Sequence, residues 1–150
     1  MKVLLTGSSG QLGQAIINNK PKGIDLITPN RNQVDLIDSQ LCMNIVEKIN
    51  PDWVVNCAAY TSVDKAESEP KLAIAINTEA PRAFSKALLK TGGKLLHLST
   101  DFVFNGNQGN PYRASQSRAP LGVYGSSKAG GEVEIEKILK GKNQSVILRT

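Results

Sequence analysis

The sequence predicts an α/β fold in which helices cover both faces of a doubly wound parallel sheet. Short apolar runs alternate with longer segments of helical periodicity, and this alternation is typical of the βαβ units that build parallel sheets. A glycine-rich turn also follows the first apolar run and opens the first helical segment, as expected where a strand leads into a helix. The crossovers should be right-handed.

The apolar runs give the predicted strands, over residues 2–6, 24–28, 52–58, 94–99 and 145–149. The segments between them give the predicted helices, over residues 11–20, 39–49, 71–90 and about 122–139. Residues 105–120 are rich in Gly, Asn, Gln, Ser and Pro, a composition that indicates a long loop. No helix follows the last strand, so residues 1–150 are interpreted as one domain, truncated before a substrate-binding lobe.

Composition and charge argue against several classes of protein. Apolar residues make up 40% of the chain and charged residues 21%, as in ordinary globular domains. No apolar run could cross a bilayer, and the start of the chain lacks a signal-peptide pattern, so we expect a cytoplasmic protein with no membrane partner. The net charge of +5 comes from dispersed basic residues, which favours small anionic ligands over nucleic acid.

The glycine-rich turn is the first candidate binding site. Gly7, Gly10 and Gly13 have the spacing G-x-x-G-x-x-G, which lets backbone N–H groups approach a pyrophosphate at a helix N-terminus. The alternative is a purely structural turn that needs positive φ angles. Its position directly after the first strand favours the NAD(P)-binding Rossmann fold.

The end of the second predicted strand bears on the choice of cofactor. An acidic residue there would favour NAD, whereas this chain has Asn30 and Arg31, and its next acid is Asp35. A basic residue tolerates the extra phosphate of NADP, so the sequence predicts NADPH, with NADH as the alternative cofactor. Arg31 has a plainer interpretation as a solvated loop charge.

A second motif lies late in the chain. Tyr124 and Lys128 are four residues apart, so on a helix they share one face, where the ammonium can lower the pKa of the phenol. Such a tyrosine can donate a proton to a carbonyl that accepts hydride. Thr100, at the end of the fourth predicted strand, can hydrogen-bond the same oxygen. Tyrosine and lysine also meet at this spacing on solvated helices, but the glycine turn and Thr100 favour catalysis.

Other polar residues have structural interpretations. His97 lies within an apolar strand and is expected to be a packed core residue. Asp64, Glu67 and Glu69 form an acidic group with no His or Cys at ligand spacing, so they are expected at a helix start and no metal site is predicted.

Several segments together match the pattern of one family. They are residues 5–13, 56–61, 63–67, 98–104 and 123–125, with Lys128. On these segments the chain resembles the dTDP-4-dehydrorhamnose reductases, a branch of the extended short-chain dehydrogenase/reductases. The resemblance covers essentially all 150 residues as the cofactor-binding part of a longer protein. Ala114 and Gln116 depart from it, because the family usually has acidic residues at these positions.

The resemblance implies an activity. It implies that NADPH reduces the 4-keto group of dTDP-4-dehydro-6-deoxy-L-mannose, which gives dTDP-L-rhamnose for cell-surface polysaccharide. The catalytic residues would be Thr100, Tyr124 and Lys128: Tyr124 supplies the proton, Lys128 orients the nicotinamide ribose, and Thr100 stabilises the developing oxyanion. The implied partner is a nucleotide sugar, and a homodimer is compatible with the family.

The resemblance also assigns binding residues. Those for the cofactor are Gly7, Gly10, Gln11, Leu12 and Gly13 at the phosphate turn, Asn30 and Arg31 at the ribose, Asp35 and Leu36 at the adenine, and Ala58, Ala59, Tyr60, Thr61, Leu98, Tyr124 and Lys128 further along. Those for the substrate are Thr100, Asp101 and Phe102.

Two other functions remain open at this point. One is an NADP-binding regulatory subunit similar to that of methionine adenosyltransferase, and the other is a nucleotide-sugar epimerase or dehydratase. The presence of Thr100, Tyr124 and Lys128 together favours an enzyme, because a binding subunit needs no proton donor at the hydride site.

Overall fold

The computed structural model describes residues 1–150 and confirms the α/β Rossmann-type fold with its parallel sheet. The strands are β1 (Lys2–Thr6), β2 (Asp25–Ile27), β3 (Trp53–Asn56), β4 (Lys94–Ser99) and β5 (Ser145–Arg149). Their order in the sheet is β2-β1-β3-β4-β5, so the winding reverses between β1 and β3. In such sheets the crevice outside the carboxyl ends of those two strands is where ligands bind.

The helical elements connect these strands. They are α1 (Gln11–Asn18), α2 (Ser39–Ile49), α3 (Val63–Ala66), α4 (Pro70–Ile74), a π-helical segment (Ala75–Glu79), α5 (Ala80–Thr91), a 3-10 turn (Asp101–Val103) and α6 (Val123–Leu139). The predicted strands 24–28 and 52–58 are shorter in the structure, and α1 ends before residue 20. Helix α3 was not predicted. No helix has the length and apolar character that a membrane span requires.

The helix predicted over residues 71–90 is confirmed, because the backbone is helical without a break from residue 70 to residue 91, but the π-helical segment within it was not predicted. Two α-helices occupy this stretch, and the π-helical segment lies between them. Pro81 gives the physical reason, since in a regular α-helix its ring would clash with the carbonyl of Asn77 and it has no N–H to donate there. A π-helical turn relieves this conflict, and such turns are frequent at functional sites.

Local signals set the ends of α2 where the sequence predicted them. The Asp38 carboxylate accepts hydrogen bonds from the N–H groups of Gln40 (2.9 Å) and Leu41 (3.0 Å), which caps the start of the helix. At the other end Asn50 adopts a left-handed conformation with φ of 48°, and this stops the helix.

The main core lies between the sheet and one layer of helices. Helix α5 packs between α2 and α6, and its Phe84 is fully buried. The sheet contributes alternate residues of its central strands, namely Leu4, Val54 and Leu95. Burial of each such side chain contributes roughly 1.5–3 kcal/mol relative to exposure.

The opposite face of the sheet is covered less completely. Ala15 and Ile16 of α1 lie over this face beside Val55 and Leu96, and together they border an apolar groove. The reversal of winding explains the difference, because right-handed crossovers place α1 on one face and α2, α5 and α6 on the other. Helices thus occupy both faces, as predicted, but unequally.

Candidate cofactor cleft and catalytic site

A cleft of about 620 Å³ opens at the carboxyl ends of β1 and β3. The structure brings these predicted cofactor residues to its wall: Gly7, Gly10, Asn30, Arg31, Asp35, Leu36, Ala58, Ala59, Tyr60 and Thr61. The remaining ones lie outside this wall: Gln11, Leu12 and Gly13 in α1, Leu98 in β4, and Tyr124 and Lys128 in α6. The cleft therefore gathers residues from three separate loops.

The three glycines of the turn meet different structural demands. Gly7 has φ of +72°, and a Cβ there would lie 2.6 Å from the backbone nitrogen of Ala58. A Cβ on Gly13 would lie 2.2 Å from the Gly7 carbonyl oxygen, whereas one on Gly10 would meet only that oxygen, at 3.4 Å. Gly7 and Gly13 are thus required for close backbone packing, and Gly10 leaves space toward the cleft.

The N-terminus of α1 is free to bind an anion. Gly10 is the N-cap residue, and no side chain caps the helix. The first N–H groups of a helix need acceptors, and the helix dipole favours a negative charge at this end. A pyrophosphate at the wall of the cleft fits both requirements.

The loop after β2 forms the rim of the cleft. The backbone N–H of Asn30 donates to the Gln33 side chain (2.9 Å), and the Gln33 N–H donates to the Asn30 side chain (3.1 Å). This reciprocal pair holds the loop that carries Arg31, whose side chain is exposed at the rim. The Asp35 carboxylate accepts from the N–H of Ile37 at 3.1 Å, so it also supports the loop.

The loop after β3 is held by a residue that the sequence did not single out. The Asn77 side chain accepts from the Tyr60 N–H (2.9 Å) and donates to the Tyr60 carbonyl (3.0 Å). It also donates to the Ser127 hydroxyl at 3.0 Å, and Ser127 donates to the Tyr124 carbonyl at 2.7 Å. Buried Asn77, in the π-helical segment, thus connects the cleft wall to α6. Its only sequence signal is its place four residues before Pro81.

Tyr60 points its hydroxyl away from the main chain toward an acidic neighbour. It donates to the Glu69 carboxylate at 2.7 Å, and Lys65 pairs with the same carboxylate at 2.9 Å. Partial burial, followed by the bond to Glu69, raises the pKa of Tyr60 to about 12. Tyr60 is therefore a fixed neutral group along the cleft.

Lys128 is the buried cation of the site. Its side chain is almost fully buried, and its ammonium donates to the carbonyl oxygen of Leu98 at 2.6 Å. Burial lowers the pKa of Lys128 to about 8, while the Glu132 carboxylate acts in the opposite direction. The lysine is therefore mostly protonated at neutral pH.

Tyr124 lies in the first turn of α6 against the end of β4. Its ring packs edge-on against Phe102, with 5.5 Å between centroids. Burial raises the pKa of Tyr124, the Thr100 hydroxyl acts against this rise, and Asp101 adds to it. The expectation that Lys128 lowers this pKa is wrong for this structure, because the ammonium is directed to Leu98 and the phenol is partly desolvated.

The end of β4 presents the predicted substrate-facing residues. The Thr100 hydroxyl donates to the Asp101 carboxylate at 3.1 Å and accepts from the Phe102 N–H at 3.2 Å. These bonds fix the 3-10 turn, and Phe102 remains half exposed. Thr100, Asp101 and Tyr124 consequently lie together at the carboxyl edge of the sheet.

His97 occupies the core, as predicted. It is fully buried, and its Nδ1 lies 3.0 Å from the Asn56 side-chain amide. Asn56 in turn accepts from the Thr6 hydroxyl at 2.6 Å. Burial, followed by the Lys128 charge, lowers the pKa of His97 to about 3, so His97 is a neutral structural residue.

The long loop of residues 105–120 is anchored by an ionic cluster that sequence reasoning missed. Glu132 of α6 is fully buried and pairs with Arg118 of the loop and with Arg149 of β5, the latter at 2.7 Å. Arg149 also donates to the Ala114 carbonyl at 2.9 Å. The Gln116 amide donates to Gln108 at 2.6 Å. The two unusual loop residues, Ala114 and Gln116, therefore take part in holding the loop.

Comparison with known proteins adds three findings. Residues 1–150 match the family model described as the RmlD substrate binding domain. The chain is 42% identical over 137 residues to a dTDP-4-dehydrorhamnose reductase of Streptomyces griseus, an alignment that covers 91% of this chain and 45% of that protein. It spans about half the length of the curated relatives that it matches.

Solved structures of dTDP-4-dehydrorhamnose reductases are also similar to this chain. The dTDP-4-dehydrorhamnose reductase of Bacillus anthracis, solved in complex with NADP, superimposes with a TM-score of 0.91 at 34% identity, over 99% of this chain and 52% of that one. The dTDP-4-dehydrorhamnose reductase of Clostridium acetobutylicum gives a TM-score of 0.93 at 31% identity, over 99% of this chain and 52% of that one.

Proposed function

The chain belongs to the RmlD substrate binding domain family, and on this premise we propose that the whole protein is an NADPH-dependent dTDP-4-dehydrorhamnose reductase. It would reduce the 4-keto group of dTDP-4-dehydro-6-deoxy-L-mannose to give dTDP-L-rhamnose. One observation carries the proposal: Tyr124 and Thr100 lie side by side at the same sheet edge as the open, uncapped start of α1. The proposed proton donor and the cleft thereby share the carboxyl edge of the sheet.

The residues of the cleft fit a dinucleotide. Gln11 and Leu12 would present backbone N–H groups to the pyrophosphate at the start of α1. Gly10, whose own N–H donates to the Gly7 carbonyl at 3.0 Å, would leave space for it. At the rim, Asn30 and Arg31 would face the adenosine ribose and its phosphate, with Asp35 and Leu36 near the adenine. Ala59, Tyr60 and Thr61 would lie along the cofactor toward α6. The bound cofactor supplies hydride to the carbonyl carbon.

The side chains at the sheet edge complete the reaction. Tyr124 would donate its phenolic proton to the keto oxygen as the carbon accepts hydride. Its raised pKa keeps that proton in place at neutral pH until it is needed. Thr100 would rotate its hydroxyl proton from the Asp101 carboxylate to the developing oxyanion and hydrogen-bond it there. Lys128 donates one N–H to Leu98, which leaves others for the nicotinamide ribose hydroxyls.

The proposal extends to substrate, location and assembly. Asp101 and the half-exposed Phe102 would contact the nucleotide sugar near Tyr124. The reaction consumes NADPH, so we place it in the cytoplasm. For the oligomer we propose a homodimer, which sedimentation of the whole protein would test.

A cofactor-oxidation assay tests the activity. The full-length protein would be mixed with NADPH and the dTDP-4-keto sugar while the absorbance of the reduced nicotinamide is followed. We expect loss of absorbance that requires the sugar. NADPH binding without oxidation would instead indicate a regulatory binding protein, and conversion to an epimer or a dehydrated sugar would indicate the other alternative.

Substitution of the proton donor tests its role. Because Tyr124→Phe removes only the transferable proton, we expect kcat to fall roughly a hundredfold or more while NADPH affinity is preserved. Lys128→Met should lower both kcat and the affinity for NADPH. The matched control is Tyr112→Phe, on a loop tyrosine that donates to Asn105 at 3.0 Å. Wild-type turnover by the Tyr124 variant would contradict the mechanism.

A further inference from the structure

Glu67 makes a long-range contact with the helix that carries the proton donor. It follows directly after α3, and its carboxylate accepts a hydrogen bond from the backbone N–H of Val123 at 2.7 Å. Val123 is the first residue of α6, and Tyr124 is the second. We propose that Glu67 is a positioning residue for Tyr124, an inference that rests on the reductase function proposed above.

Helix α6 depends on this carboxylate because it has no cap of its own. The N-cap residue is Gly122, which has no side chain to accept a hydrogen bond. A Cβ at that position would lie 2.8 Å from the carboxylate oxygen of Glu67. The glycine therefore makes room for an acceptor supplied from 56 residues earlier in the chain. A negative charge at a helix N-terminus is also favourable.

Core packing does not account for this contact. The Glu67 side chain is exposed, so its role is not to fill the interior. Its place in the chain is more informative, since α3 directly follows the loop whose residues Ala59, Tyr60 and Thr61 line the cleft. Glu67 thus connects the cleft wall to the start of the catalytic helix.

The two catalytic side chains should respond differently to loss of this cap. Tyr124 lies in the first turn of α6, where an uncapped helix frays. Lys128 lies one turn further on and is held by burial and by the Leu98 carbonyl. Loss of the Glu67 contact should therefore displace the proton donor and leave the lysine in place. A small displacement of a reacting group is sufficient to slow chemistry severely.

Three variants of the full-length protein separate this role from a general effect. Glu67→Ala removes the acceptor, Glu67→Gln keeps an acceptor oxygen without the charge, and Asp64→Ala is the matched control at an acidic residue of α3, just before Glu67. The readouts are kcat, the Kd for NADPH, and amide hydrogen exchange of a peptide covering residues 122–126. The exchange measurement needs neither substrate nor cofactor.

We expect Glu67→Ala to lower kcat by about tenfold and to speed exchange at residues 122–126, with the Kd for NADPH within about twofold of wild type. Glu67→Gln should recover most of the rate, and Asp64→Ala should match wild type throughout. Unchanged exchange or unchanged kcat in Glu67→Ala would overturn the proposal, as would a Kd that weakens in step with kcat. If the wild-type protein did not oxidise NADPH with the keto sugar, the reductase proposal would fail, and exchange alone would decide whether Glu67 holds the start of α6.

Discussion

Burial affects the two basic side chains at the centre of the site in different ways. His97 begins from an ordinary pKa of 6.5, and desolvation lowers it to about 3, so it is neutral at physiological pH. Lys128 begins from 10.5 and falls only to about 8, partly because Glu132 supports its charge. The usable cation is therefore Lys128, and this charge difference separates the proposed catalytic residue from the core residue.

Arg31 gives a test of cofactor preference at the scale of one residue. It is exposed at the rim of the cleft, where one contact with a phosphate contributes on the order of 1–2 kcal/mol. We expect wild type to bind NADPH at least a few-fold more tightly than NADH, and Arg31→Ala to narrow that gap. Fluorescence titration with each cofactor measures it, and Lys22→Ala is the control at another exposed cation. Equal affinities in wild type would contradict the prediction.

Residue types at strand ends were predictable from the sequence, whereas their long-range partners were not. Gly7, Gly10 and Thr100 follow strands, so their place at the carboxyl edge follows from parallel topology alone. Asn77 and Glu67 contact residues of α6 that lie 50 and 56 positions later in the chain. No local sequence pattern predicts contacts between residues so far apart in the chain.

At the scale of elements, the turn between β1 and α1 separates folding from binding. A Cβ on Gly10 would meet only one backbone atom, at 3.4 Å, whereas a Cβ on Gly13 would lie 2.2 Å from the Gly7 carbonyl oxygen. We therefore expect Gly10→Val to retain the thermal stability of wild type but lose NADPH binding. Gly13→Ala should lower the Tm. Thermal unfolding and cofactor titration of both variants provide the measurement, and unchanged affinity in Gly10→Val would place the phosphate elsewhere.

The cluster around Glu132 joins α6, β5 and the long loop, and it makes stability depend on pH. Burial acts to raise the pKa of Glu132, but hydrogen bonds from Arg149 and Arg118 outweigh it and lower this pKa from 4.5 to about 2. A carboxylate whose pKa is lower in the folded than in the unfolded state stabilises the fold at pH values above its unfolded-state pKa. This contribution to the free energy of unfolding is lost as the pH falls through the folded-state pKa.

We accordingly expect the free energy of unfolding to decline between about pH 4.5 and about pH 2, by on the order of 3 kcal/mol from this group. Glu132→Gln should be less stable than wild type at pH 7 and should lose less stability on acidification. Urea unfolding across the pH range measures both effects. The control is Glu47→Gln, because Glu47 pairs with Lys90 at an exposed position, where ion pairs contribute little. Parallel pH curves for wild type and Glu132→Gln would refute the assignment.

Elements with clear local signals agreed with their predicted bounds, whereas features that depend on tertiary contacts were not predicted. Helix α2 has an aspartate cap and a left-handed residue at its end, and the bounds of β4 and β5 are those that the sequence predicted. The helix predicted over residues 71–90 also occurs, but its periodicity gave no sign of the π-helical segment that precedes Pro81 and contains Asn77. The short helix α3 has too few residues to show periodicity.

At the scale of the whole molecule, the two faces of the sheet differ in cover. The face toward α5 is closed by three helices, and Leu95 there is fully buried. On the other face α1 covers only the side near β1 and β2, and Val146 and Leu148 of β5 are 48% and 49% exposed. Exposed apolar side chains on the same face of a strand favour association.

The last prediction concerns residues 1–150 produced as a separate polypeptide. Pyrophosphate binding needs only one helix start and its loops, whereas binding of a nucleotide sugar needs contacts from two sides of a cleft. We therefore expect this polypeptide to bind NADPH weakly, to show no reductase activity, and to self-associate through the apolar face of β5.

Sedimentation over a range of concentrations measures self-association, and the double variant Val146→Thr, Leu148→Thr should weaken it. The control is Val133→Thr, on an exposed position of α6. Efficient turnover of the keto sugar by this polypeptide would contradict the need for a second lobe, and a monomer at all concentrations would contradict the role of the exposed face.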